Sequence, residues 1–195
     1  MRWIVPLLLT GLLLSNASAE DRQGRYAIKG HGTLTCKTLD AERATKSNVY
    51  LSIGGWLEGY VTGYNRYSTQ TYDVTPFEST ELLLALISTH CANHPEDRLY
   101  AVVNGLLSKL AHDRLQAPSA RVRISDGQRM AILYVTTIRR IQSALADRKL
   151  YRGEIDGVYT DATRAAVIAF QTDIKFAPTG FPDQATLWRL LKGLP

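Results

Sequence analysis

The chain has 195 residues, of which 45% are hydrophobic and 21% charged. That length holds one or two ordinary domains, and the balance excludes both a wholly disordered polymer and a multi-span membrane protein. A formal charge of +5 and a pI near 9.3 favour anionic partners.

The first nineteen residues differ from the rest. Arg2 gives a short positive start, Trp3 to Leu14 is an apolar run, and Ala17-Ser18-Ala19 has the small-residue spacing that a signal peptidase reads. About 20 apolar residues are needed to span a bilayer, and Pro6 and Gly11 interrupt this shorter run. The expectation is a secretory signal cleaved after Ala19, a mature start at Glu20, and no membrane attachment after cleavage. No cysteine follows the run, which argues against a lipid anchor.

In an exported protein an even pair of cysteines reads as one disulfide. The pair here is Cys36 and Cys91. Closing a loop of that size stabilises a fold by about 4 kcal/mol on the chain-entropy estimate.

From Glu20 to Thr33 the residues are polar or Gly-rich, and a loose terminus is expected. Ser47 or Asn48 then caps a long helix carrying Val49, Ile53, Trp56, Leu57, Tyr60, Val61 and Tyr64 on one stripe. On a neighbouring face Gly55, Gly59 and Gly63 recur every fourth position. Each glycine costs about 1 kcal/mol of helix propensity. The reading is a close-packing surface for another helix or loop, with a groove for a partner segment as its alternative.

Asn65 to Pro76 reads as a tyrosine-bearing loop. A second helix runs from Thr80 to Cys91, and Pro95 sits where a third can begin, with Leu99, Val102, Val103, Leu106, Leu107 and Leu110 on one face. Residues 20–115 thus form a helical unit. The stretch before Cys36, the run Gly55-Trp56-Leu57-Glu58-Gly59-Tyr60 and Cys91-x-x-x-Pro95 resemble the single-disulfide, HdeA-like periplasmic helical proteins and the Tai-like immunity proteins. Those resemblances imply an acid-stress chaperone or an immunity-type inhibitor, and in either case a protein partner for this unit.

Residues 116–124, with Pro118, Arg121 and Arg123, read as a linker. Ser125-Asp126-Gly127-Gln128 has the capping-box pattern, which predicts a helix beginning there and presenting Met130, Tyr134, Ile138, Ile141 and Leu145. Thr160 or Asp161 caps the next helix and Asp183 the last, so 125–195 is a three-helix unit. Residues 20–115 carry 10 basic and 11 acidic residues, 116–195 carry 12 and 7. The cationic excess therefore lies in the second part.

This last third resembles the three-helix peptidoglycan-binding domains of bacterial cell-wall enzymes. Ile141-Gln142, Gly153-Glu154-Ile155-Asp156-Gly157-Val158-Tyr159, Thr163, Phe170-Gln171, Thr179-Gly180, Asp183 and Thr186-Leu187 carry the likeness in the family's order. Thr160 departs from it, standing where the family usually has glycine. The resemblance implies an all-α chain in which a small disulfide-tied helical domain precedes a wall-binding one. Its ligand would be peptidoglycan.

Tyr151, Arg152, Asp156 and Tyr159 share the connecting loop, and Arg164 follows it. Aromatic faces suit sugar rings, a guanidinium can fork onto a stem-peptide carboxylate, and a carboxylate accepts from hydroxyl or amide donors. Arg152 ranks first as a ligand residue, then Tyr151 and Arg164. Asp156 and Gly157 read rather as a turn.

Catalytic chemistry is sparse. His90 and His94 share a helical face, as in zinc sites, but the glutamate of the metalloprotease pattern is missing between them. There is no Gly-x-Ser-x-Gly elbow. The chain reads as a periplasmic, non-catalytic peptidoglycan-binding protein with no metal, no cofactor and no nucleic-acid partner. A hydrolase targeted by its wall-binding domain is the enzymatic alternative.

Overall fold

The computed structural model describes residues 21–193. The expected leader and its cleavage point lie outside these residues. A 3-10 turn at Gly30–Thr33 precedes α1 (Cys36–Thr45), α2 (Asn48–Tyr67), α3 (Thr80–Cys91) and α4 (Leu99–Leu110). A hairpin of β1 (Arg121–Ser125) and β2 (Met130–Tyr134) follows, then α5 (Val135–Asp147), α6 (Asp161–Asp173) and α7 (Gln184–Lys192). The fold is helical with one small two-stranded sheet.

In the first unit Leu39, Ile53, Leu57, Leu84, Ile87, Val103 and Leu107 close around the Cys36–Cys91 disulfide. Its Cα atoms are 4.9 Å apart. Ser47 caps α2 by accepting from the Tyr50 N–H, and Ser79 caps α3 by accepting from the Leu82 N–H. Each satisfies a donor that the first helical turn leaves without a partner.

Two expectations here change. Pro95 does not start a helix, because its carbonyl accepts from the Lys37 N–H at 2.8 Å and that of Asp97 from the Cys36 N–H at 2.9 Å. The loop before α4 is spent on capping α1, a helix the loose-terminus reading did not include. Among the described residues the glycine face of α2 is not covered either. A Cβ built on Gly55, Gly59 or Gly63 meets nothing within 4 Å.

Ser125-Asp126-Gly127-Gln128 opens no helix. Asp126 Oδ1 accepts from the Gln128 and Arg129 N–H groups at 3.1 and 2.8 Å, Gly127 takes φ +90°, and the chain reverses into β2. The side-chain acceptor thus closes a β-turn, a geometry open to Asp with glycine following. The second half of the expected linker 116–124 accordingly belongs to a strand, with Val122 and Ile124 inward and Arg121 and Arg123 outward.

The second core gathers Ile138, Ile141, Leu145, Val167, Phe170, Leu187 and Leu190 from the three last helices, and Phe77 joins it from the first unit. Trp188 packs against both cores. Gln184 Nε2 donates to the Phe77 carbonyl at 2.8 Å, and its Oε1 accepts from the Ser79 N–H at 2.8 Å. Lys192 reaches Asp113 at 2.7 Å and Glu78 at 3.4 Å. Side chains rather than a flexible tether join the two units.

Candidate functional site

Two buried glutamines shape the loops of the second unit. Gln142 Oε1 accepts from the Gly157 N–H at 2.8 Å, while its amide donates to Asp156 Oδ1 at 2.9 Å and the Val158 carbonyl at 3.1 Å. Gln171 repeats the arrangement, accepting from the Gly180 N–H at 2.8 Å and donating to Thr186 Oγ1 and the Phe181 carbonyl at 3.0 and 3.1 Å. Both clamped glycines have positive φ, +82° and +65°. A side chain at Gly157 would also meet the Val135 carbonyl at 2.9 Å. Glycine is therefore required there on two counts.

This clamp folds the Tyr151–Thr160 loop against α5 and beside the hairpin, enclosing a hollow of about 390 Å³. Arg123 and Ser125 of β1, Asp156, Tyr159 and Arg164 line it. Arg164 Nη2 donates to the Ser125 carbonyl at 3.4 Å, and its guanidinium lies 5.8 Å from the Tyr159 ring centroid. The Tyr159 hydroxyl donates to the Gly180 carbonyl at 2.9 Å, and burial pushes its pKa up. It stays a neutral phenol presenting an aromatic surface.

Asp156 accepts from Gln142 and from the Val158 N–H at 2.8 Å, and these bonds, Gln142 first, hold its carboxyl below the usual range. Both bonds fall on Oδ1, the oxygen that closes the turn. Arg139 donates to the Asp156 carbonyl at 3.2 Å, adding a cation at the same loop.

The sequence candidates separate accordingly. Tyr159, Asp156 and Arg164 meet at the hollow. Tyr151 is buried, only 7% exposed, with its hydroxyl donating to the Glu154 carbonyl at 2.8 Å, so it serves the core and presents no face to a ligand. Arg152 is exposed but does not line the hollow. Arg123 is the residue that sequence reasoning missed. The alternation over 121–125 was its signal, hidden because the stretch was read as a linker.

His90 and His94 stack at 4.5 Å between ring centroids, and His90 Nε2 lies 2.8 Å from Asp97 Oδ2. Their ligand atoms, with that of Asp97, fall within 4.8 Å of one another on an exposed surface. This cluster lies in the first unit, at the end of α3.

The second unit thus combines three helices, two glutamine clamps and a hollow lined by the Tyr159 ring and the guanidinium-bearing Arg123 and Arg164. Residues 136–190 match the model of the peptidoglycan-binding domain family. No curated protein and no solved structure matches the chain.

Proposed function

We propose that this is an exported, non-catalytic protein of the cell wall that grips peptidoglycan through the hollow between β1 and the Tyr151–Thr160 loop. The observation carrying this reading is the convergence of Arg123, Arg164 and Tyr159 on one hollow, of which Tyr159 and Arg164 lie within the family-matched residues 136–190. Two guanidiniums suit stem-peptide carboxylates, for which Arg offers a forked donor pair, and the tyrosine offers a face to a sugar or a peptide side chain. Asp156 is the one carboxylate among the described lining residues, and its lowered pKa and twice-bonded Oδ1 suit a turn rather than a proton donor. The apolar leader and the single disulfide both fit an oxidising compartment outside the cytoplasm.

The test is co-sedimentation of the mature chain with insoluble sacculi. Wild type is expected in the pellet at low salt and progressively less so as salt rises, since surface charge contacts are screened. The double variant Arg123→Glu, Arg164→Gln is expected to lose at least tenfold in retention. A wild-type protein that stays in the supernatant at low salt would sink the reading.

A further inference from the structure

The open glycine face of α2 lies beneath a second hollow of about 560 Å³ in the first unit. Gly59 and Gly63 form part of its lining, and Tyr26, Trp56, Tyr60, Tyr64, Tyr67 and Tyr100 supply most of the remainder. The rings are set in order against each other. Trp56 stacks on Tyr60 at 5.5 Å with 29° between planes, and Tyr100 meets Tyr60 edge-on at 5.7 Å and Tyr26 at 5.6 Å. Trp56 is fixed by donating Nε1–H to the Lys29 carbonyl at 3.1 Å, and Tyr60 by donating to Asn104 Oδ1 at 3.3 Å.

A run of glycines on one helix face weakens the helix, and such a cost is ordinarily offset by close contacts. Among the described residues nothing within 4 Å of these glycines' Cβ positions provides them. The two glycines keep the floor low between aromatic walls, as a groove for an external ligand requires.

From this geometry we infer that the groove of α2 binds a strand of N-acetylated, carboxylate-bearing sugars, the glycan of the wall itself. Three features select sugar over an apolar protein segment. The walls are mainly tyrosine, and Tyr64 and Tyr67 pair an apolar face suited to the C–H side of a pyranose with a hydroxyl, whereas an apolar helix would ask for aliphatic walls. The volume falls in the range of small-ligand sites, about 300–1,000 Å³. The charge is complementary, because among the described residues of the lining Lys29 is the one charged side chain and no Asp or Glu stands there. A glycan strand freed of stem peptides carries a lactyl carboxylate on alternate sugars for that ammonium to meet.

The choice of polymer rests on the wall-binding reading of the second unit; the groove does not. Two sites on one polymer, held in one molecule, make the second contact intramolecular and raise avidity about 10²- to 10⁴-fold where the geometry permits both.

The test uses the mature chain and soluble glycan strands stripped of stem peptides by an amidase, followed by calorimetric titration. Wild type and Arg123→Glu, Arg164→Gln should bind the strands with similar affinity, while Gly59→Leu, Gly63→Leu should lose at least tenfold. Leucine fills open space and favours helix, so the filled variant should melt no lower than wild type, which separates a blocked groove from a broken fold. Lys29→Ala should weaken the strands but not an uncharged N-acetylglucosamine oligomer. Equal strand binding by wild type and the filled variant would overturn the inference. So would a wild-type groove that takes a protein ligand and no glycan. If sacculi are still retained in either of those cases, only the groove falls; if the groove binds strands and sacculus retention survives Arg123→Glu, Arg164→Gln, only the hollow falls.

Discussion

Gln142 and Gln171 do the same work in successive helices, and the loops that matter hang on them. Each is fully buried, and each gives its amide oxygen to the N–H of a glycine in a left-handed conformation. A buried polar group is tolerated only when its bonds are made, and removing one partner leaves the other unsatisfied at about 1–3 kcal/mol. Gln142→Leu strands the Gly157 N–H and takes a donor from Asp156 and Val158 together. The expected loss is about 2–4 kcal/mol, read from urea unfolding of the mature chain, accompanied by weaker sacculus binding as the loop loosens. A loss below about 1 kcal/mol would mean that the loop holds its shape without the clamp.

At the scale of elements, most of the helices were legible in the sequence, whereas α1 and the hairpin were not. Ser47, Thr160 and Asp183 each accept from the N–H three residues on, and the apolar spacing after them gives the buried faces directly. Ser125 to Gln128 misleads because one short polar side chain ahead of a Gly can close either a helical turn or a β-turn. What decides is the flanking alternation, Arg121 and Arg123 out with Val122 and Ile124 in, a period of two that a five-residue strand displays only twice. Half of the candidate site was hidden with it, since Arg123 enters the hollow only once β1 exists. Of the glycines on α2, sequence gave their face but not its neighbour, because whether a surface is covered is decided by residues far along the chain. Gly55 allows a clean measurement: it lies on the open face yet outside the groove lining. Gly55→Ala is expected to stabilise the protein by about 1 kcal/mol, a rise in melting temperature of about 2–4 °C for a chain of this size. No rise would show that the face is covered in solution.

For the molecule as a whole, the seam between the units holds a buried carboxyl that ties their junction to pH. Glu78 is only 7% exposed there, beside Lys192 of the last helix, which is itself held by Asp113. Burial raises the Glu78 pKa above its usual 4.5, and the attraction of Lys192 offsets this only in part. A carboxyl whose folded pKa is raised binds its proton more tightly in the folded state, so its contribution is greatest when protonated. That contribution is lost as pH climbs from about 4.5 through the raised value. At this seam mild acid therefore tightens the junction, the opposite of what an acid-loosened chaperone needs. Glu78→Gln imitates the protonated form and leaves Lys192 its bond to Asp113. The variant is expected to melt at or above the wild-type temperature at pH 7, and its melting temperature should change less between pH 5 and 7 than that of the parent, with thermal scans across that window as the measurement. A variant several degrees less stable at pH 7 would assign the Glu78–Lys192 pair a net stabilising role, and acid would then open the seam.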